Sequence, residues 1–120
     1  MACLLIAASL LPACGGPSGN SGPAAAGGAI KVTMTDFHFA PSEIATSAGP
    51  VSFTLVNAGK SSHDLVVLAG DGKIVAQSDL VQPGAQAAFK IDRLSSGTYR
   101  IICDQGGHEQ AGMKGTLKVS

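Results

Sequence analysis

The sequence predicts an all-β protein, a Greek-key antiparallel β-sandwich of about eight strands. Three observations carry that expectation. Short apolar runs alternate with polar residues at a period of two, turn residues divide the runs, and no long amphipathic helix is evident. Sixteen glycines and six prolines, against only 13% charged residues, favour many turns and short strands.

Each run is bounded by its own turn signal. Ile30 to Phe39 alternates as IKVTMTDFHF and stops at Ala40 and Pro41. Ile44 to Thr46 is a short strand, and Val51 to Val56 alternates again before Asn57, Ala58, Gly59 and Lys60. Leu65 to Leu68 is continuously apolar, as in a strand buried on both faces, and ends at Gly70, Asp71 and Gly72. Lys73 to Gln77, Gln86 to Ile91, Thr98 to Cys103 and Gly115 to Val119 complete the set. The stretch around Ser78 to Pro83 has room for a helical turn.

The first residues read as a targeting segment. Met1 to Leu11, MACLLIAASLL, has the length of a secretory signal core and is too short to span a bilayer as a helix. Leu11, Pro12, Ala13 and Cys14 resemble a bacterial lipobox, cut before a cysteine that receives a diacylglycerol. Pro12, and the absence of Lys or Arg ahead of the apolar run, depart from that pattern. The expected division is therefore a signal peptide over 1–13, a lipid-anchored Cys14 with a tether over 14–29, and a folded domain over 30–120. The alternative is a soluble secreted protein cut nearby. Residues 15–29, GGPSGNSGPAAAGGA, hold no charge, aromatic or long aliphatic side chain, so they cannot offset their own ordering entropy. The roughly ninety residues that remain suffice for one modest core.

Bulk properties narrow the function. A formal charge of zero and a pI of about 6.8 mark neither a nucleic-acid binder nor a polybasic membrane binder, and they give no field that would select a partner by sign. Three cysteines, two of them in the targeting segment, do not make a disulfide framework.

The chemistry lies in ICDQGGHEQAGMKG. Cys103, His108 and Met113 follow one another with four residues in each gap. Thiolate, imidazole and thioether on one short loop are soft and borderline ligands, which select copper over harder metals. One more imidazole would complete a blue-copper site, and His63, in NAGKSSHDLVV, is well placed to supply it. Cys103 is the only cysteine outside the targeting segment, and an unpaired thiol in an exported domain invites oxidation, so a ligand role outweighs that of core filler. A lone histidine is usually a solvated side chain, and a lone Met is usually packing. The shared spacing is what raises His108 and Met113 above those readings. His38 has no ligand neighbours at a recognisable interval and is taken as structural or exposed. Asp36, Glu43, Asp104 and Glu109 are most simply solvated carboxylates. DQGGH lacks the lysine and strand-to-helix context of a phosphate loop.

HFAPSEI, NAGKSSHD and TYRIICDQGGHEQAGMKGTLKV together resemble the cupredoxins, the small blue-copper proteins that include plastocyanin, azurin and auracyanin. The resemblance spans about Ile30 to Ser120, and the ligand loop is most similar to that of auracyanin. It implies one copper ion held by His63, Cys103 and His108 in a trigonal set with Met113 axial, cycling between Cu(I) and Cu(II). It also implies that the edge of His108 is the electron port, with Gly106, Gly107, Ala111 and Gly112 small enough for a redox partner to come close. Cupredoxins commonly carry Asn after the first histidine, whereas this chain has Asp64, whose charge beside the site would favour the cupric state.

The expected function is thus a one-electron carrier in an extracytoplasmic chain, a monomer that meets redox partner proteins and touches the membrane through its lipid anchor only. A copper chaperone or storage protein is the alternative, and would bind cuprous ion at an open site without a stable colour. An enzyme fits less well. Ser62, His63 and Asp64 are adjacent along a strand, which points them apart, and a Cys103/His108 nucleophile pair leaves Met113 without a role. Zinc would be a mis-metallated form, since Met is a poor ligand for it.

Overall fold

The computed structural model describes residues 28–120. The expected signal peptide, the expected lipidation site Cys14 and nearly all of the expected tether lie outside the described residues. Nine strands form two sheets, with no helix among the described residues. In chain order they are β1 (Ile30–Thr35), β2 (His38–Ala40), β3 (Glu43–Thr46), β4 (Gly49–Asn57), β5 (Val66–Leu68), β6 (Ile74–Gln77), β7 (Gln86–Leu94), β8 (Gly97–Ile102) and β9 (Lys114–Val119). One sheet has the order β2-β1-β4-β7 and the other β3-β9-β8-β5-β6. The all-β sandwich predicted from alternation is the observed architecture.

The sheets are mixed rather than purely antiparallel. β1 lies parallel to β4, and β3 parallel to β9. Connectivity gives the reason: after β2 the chain crosses to the other sheet for β3, then returns as β4 beside β1 in the direction it first had. Such crossings close the sandwich and leave strands distant in sequence side by side.

Alternation decides which face of each strand is buried. Ile30, Val32 and Met34 of β1 point inward, as do Val51, Phe53 and Leu55 of β4. Phe53 stands opposite Phe89 of β7, their rings stacked with centroids 5.8 Å apart. Along β7 the inward residues are Phe89, Ile91 and then Leu94, a step of three where alternation demands two. The β4–β7 register shifts at this point, with Val51 opposite Ile91 and Gly49 opposite Leu94. One extra residue on β7 turns Leu94 back into the core. A strand that appeared to end at Ile91 therefore continues to Leu94.

Two other expectations change. The run from Ile30 to Phe39 is two strands, because the chain turns at Asp36 and Phe37 and pairs back with Thr35 opposite His38. The stretch 78–83 holds no helical turn. Val81 instead forms a two-way backbone bridge with His63, at 3.1 and 2.8 Å. β5 is buried on both faces, as its unbroken apolar run predicts: Val67 joins the main core, while Val66 and Leu68 pack with Ile102 in a separate cluster.

Candidate metal centre

Two loops meet at one end of the sandwich, and each is shaped by residues that are not ligand candidates. The loop after β4 is organised by Asn57, which is buried. Its amide donates to the carbonyls of Ser61 and Val81, both at 2.8 Å, and its Oδ1 accepts the Gly59 N–H at 2.9 Å. These bonds and the Val81 bridge fix the backbone of His63. Sequence reasoning took Asn57 for an ordinary turn residue. Its signal was its place at the end of an alternating strand, on the inward parity.

The loop between β8 and β9 closes on itself. The Cys103 N–H donates to the Met113 carbonyl at 3.1 Å, and the Met113 N–H to the His108 carbonyl at 3.0 Å. Gly107 and Gly112 take φ of 82° and 114°, the left-handed region that a side chain disfavours, and so allow the tight course between the ligand candidates. Arg100 on β8 ties the loop down by pairing with Glu109 at 2.7 Å, so Glu109 is an ion-pair partner rather than a free carboxylate.

These loops bring His63, Cys103 and His108 together from positions forty residues apart. One donor atom from each lies within 4.8 Å of the other two. Cys103 Sγ is 3.8 Å from Nδ1 of His63 and 3.5 Å from Nδ1 of His108. A first-row metal at about 2.0 Å from nitrogen and about 2.3 Å from sulfur, in a trigonal plane, separates those donors by about 3.7 Å. The observed distances match that spacing. Two imidazoles and a thiolate, with the buried Met113 in the same core cluster as Cys103, are the donor set that suits one copper ion.

Burial is uneven across the set. His63, Cys103 and Met113 are at most 1% exposed, whereas His108 is half-buried. Its ring packs against the half-exposed Phe37, centroids 4.7 Å apart and edge-on, and lies 5.1 Å from the ring of His63. The exposed small residues Gly106, Gly107, Ala111 and Gly112 border the same loop.

Electrostatics come from two carboxylates. Asp64, 2% exposed, accepts the Asp104 N–H at 2.8 Å and the Gln77 side-chain amide at 3.0 Å. Asp36 corrects the sequence expectation of a merely solvated carboxylate. Its Oδ1 lies 2.9 Å from His63 Nε2, and it accepts the backbone N–H groups of Lys60 and Ser61. Those amides, together with the His63 ring, hold the Asp36 carboxyl below its ordinary range. The solvated reading failed because the turn at Asp36 was hidden inside an apparently unbroken alternating run. Burial pushes the Cys103 thiol up, against a smaller opposing pull from the N–H groups of Asp64 and Gln105. His38 stays exposed on β2, away from the cluster.

Comparison with known proteins agrees with this architecture. No curated protein sequence matches the chain. Among solved structures, dithionite-reduced auracyanin from Roseiflexus castenholzii is 19% identical with a TM-score of 0.68, over 78% of this chain and 99% of that one. Auracyanin B is 22% identical with a TM-score of 0.71, over 84% and 92% of the two chains. Auracyanin A from Chloroflexus aurantiacus, described as a blue copper protein, is 21% identical with a TM-score of 0.65, over 78% and 100%. At these identities the likeness is one of fold. The family model for the cupredoxin-like domain matches residues 2–119, nearly the whole sequence, and the chain therefore belongs to the cupredoxin-like family.

Proposed function

We infer that this cupredoxin is a type 1 (blue) copper protein that carries single electrons between redox partner proteins outside the cytoplasm. The observation that supports this most directly is the convergence of two imidazole Nδ1 atoms on one buried sulfur at 3.8 and 3.5 Å. Copper bound there would supply a reversible one-electron couple. His63, Cys103, His108 and Met113 would hold it.

The remaining work falls to the protein frame. Cross-loop hydrogen bonds hold the donors in place whichever oxidation state is present, which limits the rearrangement that accompanies transfer. Burial of His63 and Cys103 keeps water and thiol oxidants away from the sulfur. His108 alone offers an edge toward solvent, so an electron would pass through its ring to a partner resting on the glycine-rich rim. No reaction on a substrate is required of any residue, and a monomer suffices.

A chaperone or storage role would call for an open site from which copper is handed on. The near-complete burial of His63, Cys103 and Met113 favours the carrier instead. No helix of the described residues is long and apolar enough to cross a membrane. Attachment is assigned to a lipid on Cys14, with residues 15–29 giving the domain reach. Mass spectrometry of the mature protein tests this, since an unmodified Cys14 would refute the anchor.

The deciding experiment is an optical and EPR spectrum of the copper-loaded protein with a redox titration. An intense visible thiolate-to-copper band that bleaches reversibly is expected. A colourless protein that binds only cuprous ion would transfer the assignment to the chaperone reading.

A further inference from the structure

The turn between β1 and β2 sets a carboxylate against the far side of the His63 ring. Asp36 Oδ1 meets Nε2 at 2.9 Å, while the opposite ring nitrogen, Nδ1, faces Cys103 Sγ at 3.8 Å. Asp36 is itself seated by backbone: the Lys60 N–H donates to Oδ2 at 2.9 Å and the Ser61 N–H to Oδ1 at 3.1 Å. An ionised carboxylate only accepts hydrogen bonds, so the nitrogen beside it must carry the proton. With the proton on Nε2, the lone pair is left on Nδ1, the atom turned toward the sulfur.

Room for this contact depends on a missing side chain. A Cβ on Gly59 would stand 2.5 Å from Asp36 Oδ1 and 3.0 Å from His63 Nε2. Any residue larger than glycine would push carboxylate and ring apart. Asp36, Gly59 and the two amides therefore form one cradle, built from two segments of chain and aimed at a single ring nitrogen.

We propose that Asp36 is the positioning residue of this centre, holding His63 as the Nε2–H tautomer with Nδ1 presented to the metal and strengthening the ring as a donor. The idea rests on the copper reading for its purpose, but the tautomer exists without metal. A carboxylate behind a ligating imidazole raises its basicity. Stronger donation favours the cupric state, so Asp36 lowers the reduction potential. A hydrogen bond to a charged acceptor biases the tautomer ratio by at least about tenfold.

The test is long-range proton–nitrogen NMR of histidine-labelled, metal-free protein at about pH 8, above the ordinary imidazole range. The wild type should show His63 with its proton on Nε2. Asp36→Asn keeps an oxygen acceptor for His63 while losing the charge and the Lys60 contact. It should retain the tautomer and, when copper-loaded, show a raised potential. Asp36→Ala should give a mixture of tautomers. A purely structural Asp36 would lower thermal stability in both variants and leave tautomer and potential alone. A proton on Nδ1 in the wild type, or an unchanged tautomer in Asp36→Ala, overturns the proposal. If the alanine variant does not fold, the wild-type spectrum and the Asp36→Asn potential decide, and an unchanged potential counts against it. Failure of the copper reading itself would appear as an uncoloured protein and leave the metal-free spectrum to judge the tautomer.

Discussion

Asp64 accepts the backbone N–H of Asp104 at 2.8 Å, joining the loop of His63 to the loop that leaves Cys103 across forty residues of sequence. The bond ties the two halves of the site together. Gln77 donates to the other carboxylate oxygen at 3.0 Å, so both oxygens of a nearly buried anion are occupied.

Replacing that anion by an amide separates its mechanical role from its charge. In Asp64→Asn the side-chain oxygen still accepts from Asp104, and Gln77 can rotate to offer its own oxygen to the new amide. The loops should stay joined. The lost negative charge no longer favours the cupric state, and the potential should rise by tens of millivolts, on the order of 1 kcal/mol. Potentiometry on wild type and variant checks the sign. An unchanged potential would show that solvent and the two donors already neutralise Asp64, and a lowered one would overturn the charge argument.

Much of this centre was legible in the sequence, because ligand spacing and strand alternation are both local signals. Cys103, His108 and Met113 share one loop, and a period of two exposes a strand wherever one face is buried. What stayed hidden depended on contacts between segments. Asp36 looked solvated because nothing local reveals that the Lys60 and Ser61 amides and the His63 ring all turn toward it. The parallel pairing of β1 with β4 was equally invisible, since residue patterns define faces and not neighbours. Leu94 was missed for a related reason: a bulge shifts the alternation by one residue and ends the apparent strand early.

The raised thiol of Cys103 has a consequence for metal uptake. Below that raised value the metal-free protein keeps the proton on sulfur, and binding must release it. In the neutral and mildly alkaline range, apparent affinity should fall about tenfold for each unit of acidification, the slope of one released proton. Competition with a chelator of known proton stoichiometry measures the slope. Cys103→Ser should lose both the slope and the visible band while the fold persists.

Met113 is fully buried beside Cys103 in the main core cluster, so its replacement must respect volume as well as ligation. Met113→Gln keeps a similar length and offers a harder oxygen donor. The variant should remain coloured with a lower potential, because a harder axial donor stabilises the cupric state. Loss of colour would mean that residue 113 holds the trigonal set together rather than tuning it.

Asn57 tests whether the frame, and not the ligands alone, determines affinity. Asn57→Ala removes three hydrogen bonds, taking the amide donor from the Ser61 and Val81 carbonyls and the acceptor from the Gly59 N–H. The metal-free protein should lose about 2–4 kcal/mol of stability in denaturant unfolding. Copper affinity should fall as well, because His63 would then be ordered only on binding. A stability loss with unchanged affinity would place the rigidity of His63 in the Val81 bridge alone.

Gly115 lies where β9 approaches the Ser42 backbone most closely. A Cβ there would run into the Ser42 carbonyl, which accepts the Thr116 N–H at 2.8 Å, and would press on the Ile101 side chain at 3.1 Å. The first obstacle is backbone and cannot rotate away, so Gly115→Ala must spread β9 from the segment leading into β3. A cost of about 1–3 kcal/mol is expected from such overpacking. Cys103, His63 and His108 are held by other contacts, and β9 begins only after Met113. The variant should therefore melt earlier while keeping the wild-type visible spectrum, with differential scanning calorimetry and absorption recorded on the same sample. A spectral change as large as the stability change would mean that the β3–β9 pairing reaches the copper site through Met113.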